Sequence, residues 1–273
     1  MFDLLELDAV RTLLRYAAAE ELLSRFTSVK VDTKPDGTLI TEADLAMQRR
    51  VKHELAERWP DYALLGEEMT SAEQQRLLST PGAGLWCLDP LDGTSNFASG
   101  IPFFAVSLAL IMNGVVEAAV VLDPARDECF SALRGKGAWL NGRPLRTVAE
   151  PARLSEAMAM VDLKRLPDPL IRMLARRSPF RSHRSFGSVA LDWCWVAAGR
   201  CQVYLHGGQK LWDYAGGRLI LAESGAVGGL LKDYDADWQD GLSLTPRIAM
   251  AATHKDLLRQ WRAWIDEGQR AQS

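Results

Sequence analysis

The spacing of apolar residues predicts two helices within the first 60 residues. Apolar side chains recur near a period of 3.6 at Leu4, Leu7, Leu14, Ala18 and Leu22. This period predicts a helix over residues 3–27. A second helix is predicted from Thr41 to Trp59, because Thr41 is a favourable N-cap residue and Pro60 follows the helix end.

Shorter apolar runs predict strands in the middle of the chain. The longest run, Ile101–Leu122, is interrupted by Asn113-Gly114 and by Glu117. An Asn-Gly pair between apolar runs is a strong signal for a two-residue hairpin, so we interpret the run as two strands and not as a membrane span. A short strand is also predicted over Gly82–Asp89, and Gly135–Pro144 has the composition of a loop and hairpin.

Beyond about residue 150, short apolar strands alternate with helical segments. The predicted strands are Ala157–Val161, Val203–Leu205 and Ile248–Ala251. The predicted helices are Pro169–Arg177, Ser188–Ala198, Asp213–Ser224 and His254–Glu267. This alternation predicts a second α/β half, so we divide the α+β chain into residues 1–150 and 151–273.

Composition and charge narrow the functional classes. Of the 273 residues, 48% are hydrophobic and 25% are charged, which is ordinary for a globular protein. The net charge of −3 is too balanced for a protein that mainly coats DNA or an anionic membrane. The acidic start lacks the pattern of a secretory signal, and the four scattered cysteines argue against zinc or disulfides. We therefore expect a cytoplasmic protein.

The candidate chemistry lies in carboxylates near a strand end. Asp89 and Asp92 flank Pro90, where we expect the chain to turn and to aim both carboxylates at one point. Like charges tolerate this only around a cation, and oxygen ligands without His or Cys favour Mg²⁺. The segment Gly93–Ser95 follows, and backbone N–H groups at a helix start bind phosphate. The segment therefore predicts metal-assisted phosphate hydrolysis.

Two further acidic residues complete this group. Glu67 lies in Gly66-Glu67-Glu68 after an apolar segment, and Asp213 opens a helix in Trp212-Asp213-Tyr214-Ala215-Gly216. Alone, Glu67 is most simply an exposed acidic residue and Asp213 an N-cap. Three acidic segments, each beside glycine or a strand end, favour a shared site.

These motifs resemble the inositol monophosphatase family of Mg²⁺-dependent, lithium-sensitive phosphatases. The resemblance is carried by Gly66-Glu67-Glu68, by Asp89-Pro90-Leu91-Asp92-Gly93-Thr94 and by Trp212-Asp213-Tyr214-Ala215-Gly216. Lys34 and the segment Thr41-Glu42-Ala43-Asp44 add a fourth match. It implies a layered αβαβα sandwich of the inositol monophosphatase and fructose-1,6-bisphosphatase type. It also implies a homodimer that binds a small-molecule phosphate monoester. The balanced charge and the interrupted apolar run argue against a membrane or nucleic-acid partner.

The resemblance also implies a role for each matching residue. A first Mg²⁺ would bind Glu67, Asp89 and the carbonyl of Leu91. A second would bind Asp89, Asp92 and Asp213, and Glu67 would serve a weaker third ion that carries the attacking water. Asp44 and Thr94 would take the proton of that water, and the N–H groups of Gly93 and Thr94 would hold the phosphate.

The resemblance also implies a set of residues that contact the substrate. Candidate contacts are Gly93, Thr94, Ser95, Gly187, Ser188, Ala190, His206 and Asp213. Seven residues before Asp213, inositol-specific members commonly have a Glu, and this chain has His206. His206, with Lys210 nearby, could favour a more anionic alcohol such as a bisphosphate. Ser188 as a plain N-cap and His206 in a surface loop are the simpler alternatives.

The expected activity is hydrolysis of a small phosphate monoester, with inositol monophosphate as the leading substrate. Relatives also cleave 3′-phosphoadenosine phosphates, fructose 1,6-bisphosphate, histidinol phosphate and NADP. A different class, a regulatory member that binds RNA or protein, has support only from basic residues between positions 164 and 184. A Mg²⁺-dependent nuclease would need a long basic groove with aromatic residues, and nothing in the sequence predicts one.

Overall fold

Helices and sheets alternate along the chain in the computed structural model, which describes residues 2–26, 31–33, 39–80, 82–234 and 236–270. The helices are α1 (Leu4–Glu21), α2 (Glu42–Arg58), α3 (Ser71–Ser79), α4 (Thr94–Ala98), α5 (Asp168–Arg176), α6 (Val189–Ala197), α7 (Leu211–Ser224) and α8 (Lys255–Arg270). Short 3-10 helices span Leu23–Arg25, Leu154–Glu156 and Leu163–Arg165. Lys34 lies outside the described residues.

Most of the described strands form two sheets. The strands are β1 (Val31–Thr33), β2 (Leu39–Thr41), β3 (Tyr62–Gly66), β4 (Gly84–Asp92), β5 (Ala105–Met112), β6 (Val115–Asp123), β7 (Glu128–Leu133), β8 (Gly137–Leu140), β9 (Arg143–Leu145), β10 (Met158–Asp162), β11 (Ser182–Arg184), β12 (Val203–Gln209), β13 (Val227–Leu231), β14 (Trp238–Gln239) and β15 (Arg247–Ala252). One sheet has the order β3-β4-β5-β6-β7-β8-β9, and the other has the order β11-β10-β12-β15-β13-β14.

Alternating side chains place the first sheet between two helical layers. Trp86 and Leu88 of β4 pack in one cluster with apolar residues of α1 and α2, whereas Cys87 between them packs with α6 and α7. This is the period of two expected of a strand covered on both faces. The hairpin prediction is confirmed, since Asn113 and Gly114 join β5 to β6 with φ of 52° and 75°, as a type I′ turn requires. No helix within the described ranges is long and apolar enough to cross a membrane.

The second sheet completes the layers. Tyr204 and Ala251 face α6 and α7, while Leu205 and Met250 face α5 and α8. The order is therefore α1/α2, first sheet, α6/α7, second sheet, α5/α8, which confirms the layered αβαβα sandwich. The first sheet ends at Leu145 and the second begins with Met158, while the α6/α7 layer packs against both sheets. The division into residues 1–150 and 151–273 stays a prediction.

The contact between α6 and α7 depends on Gly217. A β-carbon at Gly217 would lie 2.5 Å from the Trp193 Cβ and 2.8 Å from its Cγ, and Trp193 is fully buried. We therefore expect Gly217→Ala to lower the free energy of unfolding by about 1–3 kcal/mol through overpacking. Urea denaturation measures this change. Gly82→Ala is the matched control, because nothing lies within 4 Å of that position; equal loss in both variants would contradict the packing argument.

Candidate active site

A β-bulge in β4 brings Asp89 and Asp92 to the same face of the sheet. Asp89 lies opposite Ser107 and Asp92 opposite Ala105, so three steps along β4 match two along β5. In a regular strand these two aspartates would point to opposite faces, and one extra residue reverses the alternation. The prediction that Pro90 turns the chain is wrong, because the strand continues through it to Asp92. The bulge directs both carboxylates toward α6 and α7.

The start of α6 holds Asp92. Its Oδ2 accepts hydrogen bonds from the Ser188 hydroxyl at 2.6 Å and from the Ala190 N–H at 2.7 Å. Ser188 occupies the N-cap position of α6, but its side chain makes no capping bond. The plain N-cap explanation of Ser188 is therefore wrong: the fully buried hydroxyl positions a carboxylate of the opposite layer.

Asp213 and Asp89 are each held by a nearby backbone N–H. Asp213 is the third residue of α7, and its Oδ2 accepts from the Lys210 N–H at 2.8 Å. It is therefore not the N-cap of the helix. Asp89 Oδ1 accepts from the Leu91 N–H at 3.0 Å across the bulge. Each of these bonds engages one carboxylate oxygen and leaves the second as a potential metal ligand.

Glu67 follows β3 directly, next to these aspartates. Its N–H donates to the Leu88 carbonyl at 3.1 Å, which extends the pairing of β3 with β4 by one residue. The buried Gln74 side chain of α3 donates to the carbonyls of Gly66 at 2.9 Å and Glu67 at 3.1 Å. The turn that carries Glu67 is thus fixed from both sides.

Asp44 and Thr94 meet in space although 50 positions separate them in the chain. The Thr94 hydroxyl lies 3.2 Å from Asp44 Oδ1 and 3.0 Å from the Leu91 carbonyl. Asp44 Oδ2 accepts from the N–H and the hydroxyl of Thr41, which forms the capping box of α2. The sequence therefore predicted this N-cap correctly. The same Asp44 side chain caps a helix with one oxygen and faces Thr94 with the other.

The carboxylates repel one another in a buried setting. Burial raises the pKa of Asp89 well above its ordinary value, and the charges of Glu67, Asp92 and Asp213 raise it further. The pKa of Asp213 is raised well above normal by burial and by Asp92 and Glu67. Burial also raises the pKa of Asp92 despite its hydrogen bonds. Burial raises the pKa of Asp44, partly offset by Thr41. Buried acidic side chains that repel one another in this way stay ionised only when a cation lies among them.

The donor set fits a hard divalent cation. Its members are the carboxylates of Glu67, Asp89, Asp92 and Asp213 and the carbonyl of Leu91, all oxygen ligands. Within the described residues, no three Asp, Glu, His or Cys side chains are close enough to hold an ion as they stand.

Gly93 and Gly187 bring the segment predicted to bind phosphate, residues 93–95, against the segment predicted to contact the alcohol, residues 187–190. Gly93 precedes α4 with φ of 91°, and a β-carbon there would lie 3.2 Å from the Gly187 carbonyl oxygen. Asn96, which the sequence interpretation missed, donates to the carbonyls of Phe103 at 2.8 Å and Phe186 at 2.6 Å. Its only signal is a polar residue directly after the motif. Ser95 is exposed in the first turn of α4.

His206 lies in a strand and not in a surface loop. It is buried in β12, before an irregularity in the pairing of β12 with β15. Its Nε2 lies 3.1 Å from Asp162 Oδ2, and its Nδ1 accepts from the Gly208 N–H at 3.2 Å. Both ring nitrogens are thus engaged within the protein. Lys210 is exposed, with its ammonium group 5.9 Å from the Trp212 ring.

The raised carboxyl pKa values predict a pH-dependent stabilisation by Mg²⁺. In the folded protein, the pKa values of Asp44, Asp89, Asp92 and Asp213 lie above the value of about 3.9 in the unfolded chain. The protonated side chains therefore stabilise the fold fully below about pH 3.9, and this contribution is lost as pH rises through the pKa values of the folded state. We expect Mg²⁺ to raise the Tm more at pH 8 than at pH 5.5, since protons compete with the ion. Thermal unfolding with EDTA or Mg²⁺ measures this. An equal rise in Tm at both pH values would contradict it.

The chain is similar to a known family, to characterised relatives and to solved structures. The sequence model of the inositol monophosphatase family matches residues 3–264. The chain is 37% identical over 219 residues to a Nus factor SuhB of Pseudomonas aeruginosa, which covers 78% of each chain. It is 37% identical over 203 residues to an inositol-1-monophosphatase of Rhizobium meliloti, covering 72% of this chain and 74% of the relative. The Thermotoga maritima IMPase structure superposes with a TM-score of 0.79 at 29% identity, covering 96% of this chain and 98% of that one.

The five-layer sandwich and the family match identify the chain as a phosphoric monoester hydrolase of a Mg²⁺-dependent family. The chain belongs to the inositol monophosphatase family.

Proposed function

We propose that this protein hydrolyses the phosphate monoester of a small alcohol with Mg²⁺, and that inositol monophosphate is the leading substrate. The observation that carries the proposal lies at the β4 bulge, where the negative charges of Glu67, Asp92 and Asp213 raise the pKa of the buried Asp89. The relative from Rhizobium meliloti carries the name of this activity.

Two to three Mg²⁺ ions are proposed. Glu67, Asp89 and the Leu91 carbonyl would hold the first, and Asp89, Asp92 and Asp213 the second, with Glu67 also serving a weaker third. When bound, Mg²⁺ supplies Lewis-acid activation of water and neutralises charge on the phosphate and the leaving alkoxide. The described carboxylates supply the negative charge that keeps the ions in place.

Thr94 and Asp44 form the proposed proton acceptor. The Thr94 hydroxyl can accept a proton from the attacking water while it donates its own to Asp44 Oδ1, 3.2 Å away. Thr41 holds the other Asp44 oxygen, so only one oxygen faces Thr94. Burial raises the pKa of Asp44, which makes it a stronger base than an exposed aspartate.

The phosphate and the alcohol are proposed to bind on opposite sides of Asp92. The N–H groups of Gly93 and Thr94, with Ser95 beside them, would hold the phosphate at the start of α4. The alcohol would lie toward α6 and β12, near Gly187, Ser188, Ala190 and His206, with Asp213 between the two. Attack by water is in line and requires no nucleophilic side chain.

The test is phosphate release by the purified protein with and without Mg²⁺. The substrates are inositol 1-phosphate, 3′-phosphoadenosine 5′-phosphate, fructose 1,6-bisphosphate, histidinol phosphate and NADP. Mg²⁺-dependent release from any of them is expected, with inositol 1-phosphate first. No release from any compound, by folded protein that binds Mg²⁺, would overturn the proposal.

A second candidate function is binding to RNA or protein. Arg172, Arg176, Arg181 and Arg184 are exposed along α5 and β11, and the relative from Pseudomonas aeruginosa carries the name Nus factor. RNA binding that weakens steeply between 50 and 200 mM salt, on the order of tenfold or more, and is lost on changing these arginines to Gln would favour it. Salt-independent or absent binding would exclude the RNA form of this candidate.

We propose a homodimer from the family resemblance, and a cytoplasmic location from the four scattered cysteines, which fit a reducing compartment. Light scattering after size-exclusion chromatography tests the dimer, which a monomeric mass would overturn. Fractionation of the source cells tests the compartment.

A further inference from the structure

The short 3-10 helix Leu163–Arg165 is fixed against β12 beside the proposed alcohol side. A β-carbon at Gly207 would lie 1.7 Å from the Arg165 carbonyl oxygen, so the two backbones approach as closely as only glycine permits. Asp162 caps this 3-10 helix, because its Oδ1 accepts from the Lys164 N–H at 3.0 Å. Its Oδ2 lies 3.1 Å from His206 Nε2. The backbone of Arg165 is therefore held at a defined place next to His206.

The Arg165 side chain is the less constrained part of this arrangement. Its Nε lies 3.9 Å from Asp162 Oδ2, a weak ion pair, and half of the side chain is exposed. Its charge is also near enough to Asp213 to oppose the rise in the pKa of that carboxyl. Neither terminal guanidinium nitrogen of Arg165 makes a hydrogen bond in the described part of the chain. The half-exposed Arg165 side chain therefore ends in a planar fork of donors, and its charge is felt by Asp213.

Two other arginines of the basic segment pair with acidic residues of the outer helices. Arg172 pairs with Asp168 at 3.7 Å within α5, and Arg177 pairs with Glu267 of α8 at 3.2 Å. Both pairs lie in the outer helical layer. Asp162 is the acidic partner of Arg165 at 3.9 Å, and its two oxygens also lie within hydrogen-bond distance of the Lys164 N–H and of His206 Nε2.

These contacts give Arg165 a role in substrate selection. Resting on the proposed function, we propose that Arg165 is a specificity-determining residue that binds a second anionic group, a phosphate or a carboxylate, on the alcohol part of the substrate. A guanidinium group binds both groups with two parallel hydrogen bonds. The phosphate to be cleaved is held by the metal site, so the group that reaches Arg165 belongs to the alcohol. The protein would then cleave bisphosphates in addition to a neutral polyol phosphate.

The test compares two substrates in two variants of Arg165 and one control variant. We expect Arg165→Gln to lower kcat/KM for fructose 1,6-bisphosphate by roughly 10- to 100-fold, the loss expected for a charged hydrogen bond, mainly through KM. For inositol 1-phosphate, kcat/KM should stay within about twofold, because a neutral polyol makes no ionic contact. Arg165→Lys keeps the charge and should restore part of the bisphosphate activity. Arg176 is an exposed arginine of α5, and Arg176→Gln is the matched control. This variant should leave kcat/KM unchanged for both substrates.

The outcomes separate this inference from the proposed function. Equal losses on both substrates, or no cleavage of fructose 1,6-bisphosphate by the wild type while inositol 1-phosphate is cleaved, would overturn the role of Arg165 alone. No hydrolysis of either substrate by the wild type with Mg²⁺ would overturn the proposed function and this inference with it. Unchanged melting of Arg165→Gln shows that any loss is not due to unfolding.

Discussion

Replacing Asp213 with Asn is expected to lower kcat by roughly a thousandfold or more, because a proposed ligand of the second Mg²⁺ loses its charge. The folded structure should persist, since an amide oxygen can still accept from the Lys210 N–H. In EDTA the variant should melt no lower than the wild type, because Asp92 and Glu67 repel the buried Asp213 carboxylate. Phosphate release and thermal unfolding measure the two effects.

Asp240→Asn is the matched control for this experiment. Asp240 pairs with Arg218 at 3.0 Å, and its side chain is 96% exposed, so the change should alter neither kcat nor the stabilisation by Mg²⁺. Near-normal activity of Asp213→Asn would contradict the proposal that Asp213 binds the second Mg²⁺. A variant that unfolds in EDTA would show instead that Asp213 has a structural role.

Local patterns explain which parts of the fold were predictable. Asn113-Gly114 predicted its hairpin because a type I′ turn depends on those two residues alone. The capping box of Thr41 and Asp44 likewise lies within four positions and defines the start of α2. The extension of β4 to Asp92 was missed, because the bulge depends on pairing with β5, which local sequence does not show.

Contacts between distant segments explain what the sequence left open at the site. Motifs identified the acidic residues, but not that Ser188 donates to Asp92 across 96 positions. Nor did they show that His206 pairs with Asp162, on a neighbouring strand of the second sheet. Whether such a side chain lies in a loop or on a strand decides whether it is available to a substrate. Only tertiary packing determines that position.

Replacing Asp44 with Asn is expected to lower kcat by about a hundredfold or more, the usual contribution of a positioned general base. The Asn oxygen can still accept from Thr41, which leaves the amide nitrogen toward Thr94. That nitrogen donates a hydrogen bond and cannot take a proton from the Thr94 hydroxyl. The Mg²⁺ concentration for half-maximal stabilisation should change little, because Asp44 lies outside the proposed ligand set.

Thr94 provides the internal check on this proton path. Thr94→Val removes the hydroxyl and should lower kcat as much as Asp44→Asn, whereas Thr94→Ser keeps it and should retain most activity. The double variant should be no slower than either single one, since residues that act as one unit are not additive. Glu42→Gln, exposed in the same turn of α2, should leave kcat unchanged. Additive losses would show that Asp44 and Thr94 act separately, and the hydrogen bond between them would then serve only to position the start of α4.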